Sequence, residues 1–432
     1  MIGLGIAVII AGYILCNLNS PGKVLFAQFY FILFSQALIT MLGAPSYIMY
    51  LGDVCNLIIL LHMIKGNRTW RIKKSMGLID LCILAFFIIG IGTSILNGVE
   101  VRLVIWSLRN YGRFIVFVIG IVRYWQEDST NKLFKSLFPI LLINMAVSIV
   151  QYSTHAYSPD WIGGILGNYY GVNSYSMMLF MFAGAYYIDS FINQKEKTYK
   201  ILLALISIMV CVVVADLKVF YFLFVIEAIV IMLQNKIGIR TIILFAIGSV
   251  LAVAIYFVCL SIYNSQNIFD INYIMYYLTE SSYSYSTTSI NRTDGIAIIN
   301  RVFNFTNEQK LFGLGLGAGE YNSFFSGDIY NKYGNMHYIW FLYAWIYLEN
   351  GIVGLVLFLF LLVLLLIFIS KHKRDKEDPI SRIACAMLVV AFILVFYNPS
   401  LRNDSGYLFY TIIGIAIKKC LETENEYEVV RY

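Results

Sequence analysis

Two stretches in the last third of the chain hold residue types that can do chemistry. "INRTDGIAIINRVFNF" (290–305) carries Arg292, and "LFGLGLGAGE" (311–320) carries glycines at alternating positions. His337 follows at the head of the apolar run "YIWFLYAWIY", which ends at Glu349. An imidazole at such a boundary is either a neutral base working near pH 7 or a plain interfacial hydrogen bonder. Glu349 lies at a helix junction, where a carboxylate is often a cap. The spacing predicts a helix opened by Asn291 as cap, with Asp294 three residues on. Arg292 then shares a stripe with Ile296, Ile299 and Phe303, while Arg301 faces elsewhere as a solvated charge. Arg292 either holds a phosphate in its fork of donors or snorkels and pairs with Asp294.

The glycine run is not a nucleotide loop. It lacks a βαβ setting, the GxGxxG spacing and the Lys-Ser/Thr of a P-loop. Gly315, Gly317 and Gly319 fit a tight loop where the backbone approaches something closely, or a plain helix-to-loop turn. A second cluster lies in "VRLVIWSLRNYGRF" (101–114), where Arg102, Arg109 and Arg113 fall at i, i+7 and i+11 on one helix face. Charge inside a membrane helix is costly and is kept when paired or when it binds something. The stripe binds an anion such as a lipid pyrophosphate, or it pairs with Asp53, Asp216 or Glu227. Those acids, with Lys218, are also compatible with a proton relay in a transporter.

The elements that position these residues follow from composition. The 432 residues are 60% hydrophobic and 13% charged, with a mean hydropathy of +0.75. A soluble domain cannot hide that much apolar surface, and runs near twenty residues make helices rather than barrel strands. The expectation is an all-α polytopic membrane protein with about 12–13 transmembrane helices and one long extracytoplasmic loop. Spans are expected near Met1, Val24, Tyr47, Leu78, Leu103, Leu137, Val172, Ile201, Val219, Thr241, Ile352, Ala384 and Gly406. The first run has neither a basic start nor a cleavage site and reads as a retained helix. The seven cysteines show no CxxC pair and the four histidines no ligand spacing, so no metal is expected. Nothing points to nucleic acid.

Basic connectors at 65–74, 194–200 and 371–378 alternate with connectors almost free of Lys and Arg, such as "NPSLRNDS" (398–405). Placing the basic set in the cytoplasm puts the long connector outside. The chain then divides into transmembrane helices 1–10 over 1–262, an outer loop with amphipathic helices and the candidate site over 263–351, the C-terminal transmembrane helices over 352–418, and a cytoplasmic tail over 419–432. The 33 Tyr and 31 Phe fit interfacial belts or a sugar-binding surface, as in "TESSYSYSTTS" (279–289).

The order of these features resembles the O-antigen polymerase and O-antigen ligase family of bacterial polysaccharide enzymes. The matching positions are Arg292, the run "LFGLGLGAGEY", His337, and "ENGIVGL" with Glu349, Gly351 and Gly354. "GNYYGVNSYSMML" (167–179) is similar to the family's start of a mid-chain helix, with Asn173 at its Asn. Two departures stand out. Tyr338 follows the His where the family has Asn, and "ADLKVF" (215–220) replaces a mid-chain "SRG", with Lys218 standing in for its Arg.

The resemblance implies inverting glycosyl transfer without metal or other cofactor, in a bacterial plasma membrane with the active site outside. The substrate it implies is an oligosaccharide on undecaprenyl pyrophosphate. His337 would be the base, Glu349 its orienter, and Arg292 with Arg102, Arg109 and Arg113 would meet the leaving pyrophosphate. It also leaves room for a chain-length regulator and a flippase of the same pathway as partners. A repeat-unit polymerase leads, because residue usage fits a low-GC bacterium. A ligase of the same family, a flippase of lipid-linked oligosaccharide and a purely structural membrane protein are the alternatives.

Overall fold

Among the described residues, helices form where the apolar runs fall, because a backbone in hydrocarbon has to satisfy its own N–H and C=O groups. The computed structural model describes residues 2–66, 76–154, 158–235, 238–240, 289–322, 324–372 and 378–430. Among them are fifteen α-helices. Nine precede residue 238: α1 (Ile2–Cys16), α2 (Pro21–Thr40), α3 (Leu51–Lys65), α4 (Gly77–Leu96), α5 (Val101–Tyr124), α6 (Glu127–Ser153), α7 (Val172–Ile192), α8 (Thr198–Val214) and α9 (Lys218–Gln234). Three short ones follow: α10 (Gly295–Phe303), α11 (Asn307–Phe312) and α12 (Asp328–Tyr333). Then come α13 (Leu342–His372), α14 (Pro379–Tyr397) and α15 (Gly406–Val430).

A helix stands near every expected start point except Thr241, which lies outside the described residues. Among the described residues, seven segments are long and apolar enough to cross a membrane: α2, α3 with its preceding turn, α4, α5, α6, α13 and α14. The chain is thus an all-α membrane protein. Its surface agrees, since Leu61 on α3, Leu84 and Ile88 on α4, and Phe222 and Leu233 on α9 all point outward and are exposed. In water such a belt would be an aggregation hazard; against lipid it costs nothing. The expected outer loop is described only from residue 289 onward.

The core is built from helices that are apolar all round. α7 is buried along almost its whole length, and so is the first part of α13, Leu342 to Asn350. α13 packs on α14 and α4, and α15 packs on α5. α13 crosses the expected boundary at 351/352 without stopping, and bends there instead. Gly351 has φ +65°, and a Cβ at that position would collide with the Leu311 carbonyl. The bend lets α11 and the glycine run lie directly against α13.

One buried ion pair staples the opposite end of the bundle. Arg382 Nε of α14 meets Asp189 Oδ1 of α7 at 2.5 Å, and Lys195 Nζ adds a contact at 3.5 Å.

Candidate functional site

The chain before α10 runs beside the turn before α13, which places Arg292 and His337 in one local unit. Ile290 N–H donates to the Met336 carbonyl at 2.9 Å. The Tyr343 hydroxyl donates to the Asn291 carbonyl at 2.9 Å and accepts from Gly295 N–H at 3.0 Å. His337 itself has φ +62°, a left-handed backbone that costs a non-glycine residue about 1–3 kcal/mol. Such strain is held only where the surroundings fix it. Ser289 Oγ lies 3.1 Å from Nδ1, and the ring stacks on Trp340 with centroids 3.9 Å apart. Burial lowers the His337 pKa below its ordinary 6.5, so the ring is neutral at pH 7.

Arg292 does not sit on the helix stripe expected of it. Asn291 Oδ1 accepts from the N–H groups of Thr293 and Asp294 at 2.9 and 3.0 Å, closing a turn, and α10 starts only at Gly295. The reciprocal capping box of this region is at Thr306 and Gln309, at the start of α11. Half-buried Arg292 lies over the rings of Tyr397 (4.9 Å) and Phe341 (5.8 Å). Arginine on aromatic faces is still able to turn donors toward an anion.

Glu349 faces away from His337. Its Oε1 accepts Gly317 N–H at 3.0 Å, and its Oε2 takes the Ser107 hydroxyl at 3.4 Å and lies 3.5 Å from Arg402 Nη2. Orientation of His337 by Glu349 is therefore corrected: Ser289 makes that contact, because Glu349 lies further along α13 and points toward α5. Arg402 also binds Glu320, which accepts two bonds from Asn110 Nδ2 at 3.1 and 3.2 Å. Its guanidinium lies 3.5 Å from the Trp345 ring and 4.7 Å from that of Tyr111. The side chains of Arg402, Glu320 and Glu349 are 2%, 1% and 0% exposed, so this network ties α5, the glycine run, α13 and the 398–405 connector together out of solvent.

The glycines serve the same assembly. Gly313, Gly315 and Gly317 all have φ between +76° and +104°, and a Cβ on them would strike Glu349, Ser94 and Leu103 respectively. Leu314 and Gly315 donate to the carbonyls of Leu348 and Glu349 at 2.9 and 2.7 Å, and Leu316 to that of Gly90 at 3.1 Å. What the backbone approaches closely is three other helices. Gly319 has no left-handed backbone, and a Cβ there would stand 3.1–3.2 Å from Leu348, Tyr338 and Trp345.

Each arginine of the α5 stripe has a carboxylate of its own. Arg109 forks onto Asp53 (2.5 Å) and lies 4.6 Å from Trp106. Arg113 meets Asp404 at 2.6 Å and donates to the Arg402 carbonyl at 2.8 Å. Arg102 pairs with Glu100 at the exposed helix start. Internal pairing is thus present throughout, though Asp404 and Glu100 were not among the acids expected. Lys218 lies 3.1 Å from Asp216, and Asn173 donates to Asp160 at 2.8 Å.

Sequence reasoning passed over Arg402, Glu320 and Ser289. "NPSLRNDS" was read as a nearly uncharged connector, and Glu320 as the end of a glycine run. The available signal was a lone Arg and a lone Glu in neighbouring connectors on one side of the membrane, a pairing that only the fold makes specific. No known family profile matches the chain, and no curated protein matches its sequence.

Proposed function

We propose that the chain is a polytopic glycosyltransferase, spanning the membrane twelve or thirteen times, that polymerises lipid-linked oligosaccharide repeat units at the outer leaflet of a bacterial plasma membrane. The observation carrying this reading is the pairing of the 289–292 segment with the His337 turn. It joins a neutral imidazole, a serine on its Nδ1 and an arginine in one strained unit.

The chemistry runs as follows. With Nδ1–H donating to Ser289 Oγ, the Nε2 lone pair takes the proton of an attacking sugar hydroxyl. The new bond forms from that oxygen to the anomeric carbon of the donor saccharide. The anomeric C–O bond to the lipid pyrophosphate breaks, and its electron pair leaves with the phosphate. Attack opposite the leaving group inverts the anomeric centre. Arg292 meets the charge that develops on the pyrophosphate. In this scheme Glu349 and the glycines hold the loop in place, and the α5 arginines contribute only where they exchange carboxylate partners for phosphate.

Buried Glu227 on α9, whose two oxygens have no hydrogen-bond partner, favours a second reading, a proton-coupled transporter of the lipid-linked saccharide. Analysis of lipid-linked saccharides in a strain lacking the gene separates these. Single repeat units on the outer leaflet mean a polymerase, and long polymer stalled on its carrier means a ligase. Repeat units trapped on the inner leaflet mean a flippase and overturn the proposal.

A further inference from the structure

A row of aromatic rings leads away from His337. Trp340 stacks on the imidazole, Tyr170 stands 5.5 Å from Trp340, and Trp161 stands 6.5 Å from Tyr170. The last two rings belong to the connector between α6 and α7 and are 49% and 40% exposed. An ordinary interfacial belt has rings scattered singly around a bundle; here they are contiguous and end on one imidazole. A polar pair lies on the same connector and the start of α7, where Asn173 Nδ2 donates to Asp160 Oδ1 at 2.8 Å. The Asn173 amide oxygen is buried and has no hydrogen-bond partner.

Resting on the reading of His337 as the base in saccharide transfer, we infer that Trp161 and Tyr170, with Asp160 and Asn173, form the subsite for the acceptor oligosaccharide. The chemistry selects this class. The negative face of an aromatic ring attracts the polarised C–H face of a pyranose, while a carboxylate and an amide fix its hydroxyl groups. A lipid tail has no use for the carboxylate, and a phosphate finds no cation among these residues. Trp340, packed between Tyr170 and His337, connects the bound sugar chain to the base. A hydroxyl at the chain's end is then delivered to Nε2.

The test is calorimetric titration of the full-length protein in lipid nanodiscs. The probe is the oligosaccharide released by mild acid from the lipid-linked fraction of the native cell. Trp161→Ala and Tyr170→Ala are each expected to weaken binding about 5- to 10-fold. Trp161→Phe, which keeps a ring, is expected to bind as the parent does. Equal affinity in the two alanine variants overturns the subsite and leaves the transferase reading standing, since sugar then binds elsewhere. Alanine variants that insert poorly but bind normally once inserted mark the rings as interfacial anchors and also overturn it. No binding by the parent overturns the subsite too, while the transferase reading is judged separately by the saccharides that accumulate in the deletion strain.

Discussion

A single guanidinium, that of Arg402, serves two carboxyl groups in a place almost without water. Removing it leaves both acids without their cation, and breaking a buried pair from one side typically costs about 3–5 kcal/mol. Arg402→Met is therefore expected to lower the unfolding free energy in detergent by that amount. Glu320→Gln, which keeps shape and one acceptor, is expected to cost less; equal losses would mean that packing rather than charge holds the site. His337 belongs to the same scale. Its pKa is held below 6.5 by burial, so it stays an unprotonated base to lower pH than an exposed histidine. Transfer activity in membranes is expected to persist through pH 6.5 and to fall only under it, as the ring gains a proton. His337→Ala is expected to abolish polymer formation while leaving membrane insertion intact. Normal polymer from that variant would remove the base.

Among elements, the glycine run and the bend of α13 act as one joint. Gly315→Ala or Gly351→Ala brings both a left-handed backbone, at about 1–2 kcal/mol, and a collision with neighbouring backbone. Gly5→Ala on α1 meets nothing within 4 Å and serves as the control, expected to be neutral or slightly stabilising in the same thermal-unfolding assay. This joint also marks how far sequence reasoning reaches. Spans were legible because each is a continuous apolar run, and α2 through α9 begin within a few residues of where hydropathy puts them, α6 excepted, which starts at Glu127, nearly three turns before the expected Leu137. His337 and Arg292 were legible as residue types at a membrane boundary. Their common setting was not, because it depends on the Ile290–Met336 bond between chain segments far apart in sequence. The purpose of the glycines was half legible: alternating Gly announces close approach, but only the packing of α4, α5 and α13 says what is approached. Arg402 escaped because a charge in a short connector looks solvated until a partner closes over it.

For the whole molecule, the Arg402 network lies toward the start of α5, at Ser107 and Asn110, whereas the end of α3 lies by the end of α5, where the His62 ring is 6.4 Å from that of Tyr124. Labelling with a membrane-impermeant maleimide is expected to reach Phe324→Cys in intact cells and Lys65→Cys only after permeabilisation. The reverse pattern would invert the topology and exclude outer-leaflet chemistry. One last consequence concerns biosynthesis. Glu320 and Arg402 are separated by 82 positions, so at ordinary translation rates the acid leaves the ribosome roughly 4 to 16 s before its counter-ion. Throughout that interval the glycine joint has no cation to close on. A chain terminated before residue 402 thus has α14 in place but carries Glu320 and Glu349 without the cation that neutralises them.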